Sequence, residues 1–266
     1  MAPALAGGLL LGLLWLERAR PLRPRREPTG RRLARNCAVG VLTGVTVLLV
    51  ERPVVQAVAT VIERRGWGLL PRLALPRRLR LPLMIVLMDY TLYWWHVLLH
   101  RVPLLWRCHR AHHADLDLDT STALRFHAAE FLLSVPWRVA QVALLGISRK
   151  GLSIWGALTA AEVMFHHSNV RLPLAFERRL CRFVITPRLH GIHHSIVHRE
   201  QDSHFSSGLT LWDFLHGTAR INKLRRTVTI GLREYRTPEQ VTLSRTLAMP
   251  FADPPDDAGG GHEHRR

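Results

Sequence analysis

Three groups of histidines carry the first chemical signal in this chain. Tyr90–His113 reads YTLYWWHVLLHRVPLLWRCHRAHH. His96 and His100 are spaced i, i+4, so on a helix both project from one face. His109-x-x-His112-His113 follows, and the pattern returns as His190-Gly-Ile-His193-His194. In each HxxHH motif the first and last residues share a helical face, whereas the adjacent pair points about 100° apart. One segment can therefore address two metals. Eight such imidazoles exceed what a single zinc takes from protein, so the count argues for two ions. Imidazole suits iron, zinc, copper and nickel. Cys37, Cys108 and Cys181 are odd in number and widely spaced, so they imply no disulfide framework. The scarcity of paired cysteine also argues against structural zinc or an iron–sulfur cluster.

Other polar groups lie close in sequence. Asp89 and Tyr93 fall on the helical stripe of His96. Asp89 is expected either to orient an imidazole through its distal N–H or to pair with a buried arginine. His127 and Glu130 open one apolar run, and His166, His167 and Asn169 close another. His198, Asp202 and His204 follow the last HxxHH. Each of these is expected to ligate metal or to hydrogen-bond a ligand from behind.

The elements that position these groups are apolar. The chain has 266 residues, 37 Lys+Arg against 20 Asp+Glu, a formal charge of +17 and 47% apolar residues. That composition excludes a disordered or collagen-like chain. The apolar residues are segregated into runs at 4–16, 37–50, 81–99, 128–147 and 151–165. The second is expected to break at Glu51-Arg52-Pro53, with 54–62 an interfacial or re-entrant piece. Four or five such runs predict an all-α, polytopic membrane helical bundle. No basic residue precedes the first run and eight arginines follow it between Arg18 and Arg35, the order of an anchor rather than a secretory signal. If the histidine-bearing ends share one side, 27 basic residues lie there against 9 opposite, which makes that side cytoplasmic. Trp94, Trp95, Trp106 and Trp155 are expected as an interfacial belt more than as a channel lining. Three regions follow: membrane anchor spans with a basic loop (1–80), a histidine-rich domain (81–222), and a polar C-terminal segment (223–266) whose tail Asp253–Arg266 is expected to be disordered.

The order HxxxH, HxxHH, HxxHH between apolar spans resembles the membrane-bound fatty acid hydroxylase/sterol desaturase superfamily. The likeness extends to Asp89–Asp119, TALRFHAAE (Thr122–Glu130), HHSNVRLP (His166–Pro173), TPRLHGIHHS (Thr186–Ser195) and WDFLHGT (Trp212–Thr218), so it covers roughly 80–220. The resemblance implies a cytosolic-facing dimetal site with two non-haem irons (zinc being the alternative in a purified sample), O2 as co-substrate and electrons from a separate reductase, ferredoxin or cytochrome. The implied reaction is hydroxylation or desaturation of a lipid. The implied core ligands are His96, His100, His109, His112, His113, His190, His193 and His194, with His127 and His167 matching further family histidines. Asp89, Glu130, His166, Asn169 and Asp202 stand behind them. Two positions depart from the family pattern: His204-Phe205-Ser206 replaces Asn-(Phe/Tyr)-Gly, and His216 replaces an aromatic before the last Gly-Thr. Both concern the substrate side rather than the metal ligands.

Breaking an unactivated C–H bond is beyond acid–base side chains, which independently favours metal–oxygen chemistry. A zinc-type lipid hydrolase would need a carboxylate base; Glu130 is the well-placed candidate, and HExxH is absent. A non-catalytic membrane metal or lipid binder is a third class, against which the intact ligand set argues. The arginines lie beside apolar spans and form no recognisable nucleic-acid module, so no nucleic-acid partner is expected. The preference for Arg over Lys, 35 to 2, points to a GC-rich bacterial genome and hence a bacterial inner membrane.

Overall fold

A computed structural model of the protein describes residues 3–221 and 228–255. His262, His264 and all but the first three residues of the tail expected to be disordered lie outside the described residues. The described chain is all-α: its β pairing is limited to isolated bridges.

The first apolar run forms α1 (Pro3–Ala19), which stops where Glu17 and Arg18 end the apolar sequence. The second forms α2 (Thr29–Thr46) and passes through a π turn, Val47–Glu51, into α3 (Arg52–Arg65). The helix therefore continues through Glu51-Arg52-Pro53, where a break is expected from sequence. Pro53 sits in the first turn of α3, and the wider π turn before it loosens the ladder that a proline would otherwise interrupt. Gly66, at φ 62°, ends the rod with a left-handed cap. A rod from Thr29 to Arg65 is about 55 Å long, well beyond the roughly 30 Å of bilayer hydrocarbon. Its first turns bury Arg32, Arg35 and Asn36 in polar surroundings, whereas Val41, Val45, Leu48, Leu49, Val54 and Val61 further along it are exposed.

After the short α4 (Leu69–Arg72), the third run forms α5 (Arg77–Arg101) and leads through Val102 into α6 (Pro103–His113). The last two runs form α7 (Ala128–Leu145) and α8 (Arg149–His167). Among the described residues, three helical stretches are long and apolar enough to cross a membrane: Thr29–Arg72, Arg77–Arg101 and Ala128–Leu145. Helices α1 and α8 carry the other two apolar runs. Helices α3, α5, α7 and α8 share a core that includes Ala59, Met88, Leu92, Val142 and Trp155. Helices α2 and α7 lead away from the histidines, while α1, α5 and α8 lead towards them.

The histidine end is built from short pieces: α6, α9 (Leu174–Leu180), α10 (Pro187–His193), α11 (His198–Gln201), α12 (Leu211–Leu215) and α13 (Leu243–Ala248). A buried ionic clasp ties this end to the N-terminal helices. Asp115, Asp117 and Asp119 alternate with the buried Leu116 and Leu118. Asp115 accepts from Arg32 Nε at 2.9 Å and from Asn36 Nδ2 at 3.1 Å. Asp117 accepts from the backbone N–H groups of Arg26 and Glu27, both at 2.9 Å. Asp119 pairs with Arg32. Burial alone would raise the Asp115 carboxyl, but Arg32, Arg125 and Arg35 outweigh it and hold the group below the usual carboxylate range. Glu17 of α1 accepts from the backbone of Thr120 at 2.7 Å and of Asn169 at 2.9 Å.

Candidate metal centre

Among the described residues, nine histidines meet in two buried clusters at one end of the helices. His96, His100, His109, His113 and His193 form the first; His112, His167, His190 and His194 form the second. Within each, one nitrogen from every ring lies within 4.8 Å of the others. The two HxxHH motifs are shared between the clusters in opposite senses. The first sends its i, i+4 pair, His109 and His113, to one cluster and His112 to the other. The second sends His190 and His194 to the second cluster and His193 to the first. The 100° offset of adjacent helical residues is what makes this division available.

The nitrogens face one another in a way that protein alone leaves unsatisfied. His167 Nδ1 donates to the Val163 carbonyl at 2.7 Å, so its Nε2 carries only a lone pair. That Nε2 nevertheless lies 2.9 Å from both His112 Nε2 and His190 Nε2, and His190 Nε2 lies 3.1 Å from His194 Nε2. In the first cluster, Nε2 of His100, His109 and His193 is buried without a hydrogen-bond partner. Lone pairs converging at such spacing fit a cation: ligands about 2.1 Å from a metal and at right angles to one another are about 3 Å apart. Burial, and then the neighbouring imidazoles, hold His112, His113, His190 and His194 well below the ordinary imidazole pKa of 6.5, and burial does the same for His193. The rings are therefore neutral near pH 7, the form that ligates metal.

The opposite nitrogens of several rings are held by acceptors. His109 Nδ1 lies 3.0 Å from Glu130 Oε2, whereas Asp202 Oδ1 stands 3.7 Å from His100 Nδ1, beyond hydrogen-bond reach. His96 Nδ1 donates to the Phe205 carbonyl at 2.7 Å and His193 Nδ1 to that of Ser203 at 2.8 Å. Such contacts fix ring orientation and leave Nε2 pointing inward. Residue-type reasoning finds Glu130 but misses Ser203, Phe205 and Val163, because a backbone carbonyl leaves no mark on sequence.

Among the described residues, Asp89 meets neither an imidazole nor an arginine. It accepts from Gly208 N at 3.2 Å, Leu209 N at 3.0 Å and Trp212 Nε1 at 2.7 Å. It thus secures the segment whose carbonyls hold His96 and also His166, the latter through Ser207 O at 3.0 Å. His166 packs on His190 with ring centres 4.1 Å apart but stands outside both clusters. Asn169 bridges the main chain of Arg23, accepting from its N–H at 2.9 Å and donating to its carbonyl at 3.0 Å. His127 also lies apart. Its Nδ1 accepts from Ala129 N at 3.0 Å to cap α7, and its Nε2 faces the Leu247 carbonyl at 3.2 Å, so both nitrogens are used. His204 takes a left-handed φ of 53° and accepts from Arg220 N at 3.1 Å. That conformation suits the asparagine of the family pattern.

Aromatic rings wall the centre from water. Phe126 stacks on His112 with centres 4.1 Å apart, and Phe205 lies across His96, His100 and His193. Trp106 packs on His100 at 5.0 Å and His113 at 5.5 Å. Trp95 and Trp155 are core residues, which leaves Trp94 as the exposed member of the expected belt.

A fatty acid hydroxylase family description matches residues 81–218. Ornithine lipid hydroxylase OlsE of Rhizobium tropici is 32% identical over 143 residues, covering 54% of this chain and 42% of the relative. The alkylglycerol monooxygenases of Homo sapiens and Xenopus tropicalis are 28% and 26% identical, each alignment covering 49% of this chain and 28% of the relative. The chain thus spans less than half the length of these relatives. No solved structure matches it. With the family pattern extending over half of the sequence and enclosing every residue of both histidine clusters, the chain belongs to the fatty acid hydroxylase family.

Proposed function

We propose that the protein is a membrane-bound non-haem di-iron oxygenase that hydroxylates a polar membrane lipid, using O2 and electrons from a separate donor protein. The observation that carries this reading is the pair of buried, all-imidazole clusters with inward-facing lone pairs. The nine clustered histidines would hold the irons, which would supply the oxygen chemistry that a C–H bond demands. The chain's own residues do the rest. Glu130 and the carbonyls of Ser203 and Phe205 orient the rings, and Phe126, Phe205 and Trp106 exclude water. The family match and the lipid-directed relatives support a lipid substrate. The basic excess on the histidine side supports an active site facing the cytoplasm of a bacterial inner membrane. Glu130, the carboxylate best placed to act as a hydrolytic base, is engaged by His109, which weighs against a zinc hydrolase.

Metal analysis and oxygen uptake on the purified full-length protein test this reading. Two irons per chain and lipid-stimulated O2 consumption are expected. Tightly held zinc, with lipid cleavage and no oxygen consumption, would overturn it.

A further inference from the structure

Arg52 stands apart from the histidine chemistry. It is exposed at the start of α3, in a stretch where Leu48, Leu49, Val50 and Val54 are also exposed. Among the described residues its side chain has no hydrogen bond or ion pair. A charge in a lipid-facing run is costly unless an anion or water reaches it. The i, i+4 spacing of Leu48, Arg52 and Gln56 puts them on one face of the rod. That face borders a groove of about 710 Å³ completed by Glu63, Arg149 and Lys150. Arg149 is already engaged: its Nε donates to Gln56 Oε1 at 3.2 Å and its backbone N–H to Glu63 Oε2 at 3.3 Å. Lys150, like Arg52, has no partner among the described residues. Three cations thus share a groove with one carboxylate.

Arg149 and Lys150 open α8, whose other end is His167. Eighteen helical steps separate those ends, about 27 Å. The groove therefore lies at the end of the bundle remote from both clusters. We propose that it binds the phosphate headgroup of an anionic phospholipid from the leaflet opposite the histidine clusters. The cations match a phosphodiester, and exposed Leu48, which lines the groove on the face of Arg52, offers an apolar surface for its acyl chain. A free phosphate would satisfy the cations and leave that apolar surface unused.

Native mass spectrometry of the full-length protein in mild detergent, with phosphatidylglycerol or phosphatidylcholine added, tests the proposal. At roughly 1 kcal/mol per cation near a headgroup, two unpaired cations correspond to about a 30-fold preference for phosphatidylglycerol. Arg52→Gln with Lys150→Gln should abolish that preference while leaving metal content unchanged. Lys150→Gln alone, a change at an exposed position, should lower it about fivefold. Equal retention of the two lipids, an undiminished preference in Lys150→Gln, or displacement of the lipid by millimolar inorganic phosphate would each overturn the proposal.

Discussion

His112 and His113 are neighbours in sequence yet serve different clusters, as do His193 and His194. Losing one ring therefore strikes one cluster directly and leaves the other its full set. His112→Ala and His193→Ala are each expected to abolish activity with the fold retained. Circular dichroism should be unchanged and metal content should fall; full activity in either variant would refute the ligand assignment. His204 provides a pH prediction. Burial lowers its pKa to about 4 from an ordinary 6.5. Below 6.5 the unfolded chain binds a proton that the folded chain refuses, so stability falls with acid until about pH 4. The full effect is about 3 kcal/mol at 1.36 kcal/mol per pKa unit. His204→Asn keeps a residue that tolerates the left-handed backbone and removes the titrating ring. Denaturation midpoints of this variant should fall less steeply than those of the wild type between pH 6.5 and 4; parallel curves would exclude the contribution.

At the scale of elements, the short α10 carries two clustered histidines, His190 and His193, and depends on the N-terminal segment for its position. Arg23 Nη2 donates to the Pro187 carbonyl at 2.5 Å and lies over Gly191. A Cβ at Gly191 would stand 1.8 Å from that nitrogen, so any larger residue at this position of His190-Gly-Ile-His193-His194 must displace the Arg23 guanidinium. Gly191→Ala is expected to cost about 1–3 kcal/mol, the usual range for overpacking. The same substitution in an Arg23→Met background should cost less, because the obstructing guanidinium is gone. Equal costs in the two backgrounds, measured by denaturant melts, would rule out the contact as the cause.

At the scale of the whole molecule, the charge of +17 divides by place. The buried clasp, two arginines (Arg32 and Arg35) against three carboxylates (Asp115, Asp119 and Glu27), contributes none of the excess. Exposed arginines at the two ends of the bundle are among the residues that carry it. Arg78, at the start of α5, and Arg199, in α11, are both exposed and mark those opposite ends. With Cys37, Cys108 and Cys181 replaced by serine, single cysteines placed by Arg78→Cys and Arg199→Cys should therefore label from opposite sides of sealed vesicles, with Arg199→Cys reacting from the cytoplasmic side. Labelling of both from one side would refute the proposed orientation.

The local patterns were legible from the residues alone. HxxxH and two HxxHH motifs specify which imidazoles share a helical face, and five apolar runs specify the helices that carry them. Both are short-range consequences of helical geometry. Tertiary structure decided what depends on distant partners. The clasp joins Arg32 to Asp115 across 83 residues, and neither residue signals the other in sequence. It also assigned each histidine to a cluster, His167 among them, and left His127 as a helix cap. Asp89, readable as a partner of an imidazole, instead holds a loop, because three donors of that loop reach it first. Helical periodicity specifies the direction of a side chain, whereas its partner is determined by packing.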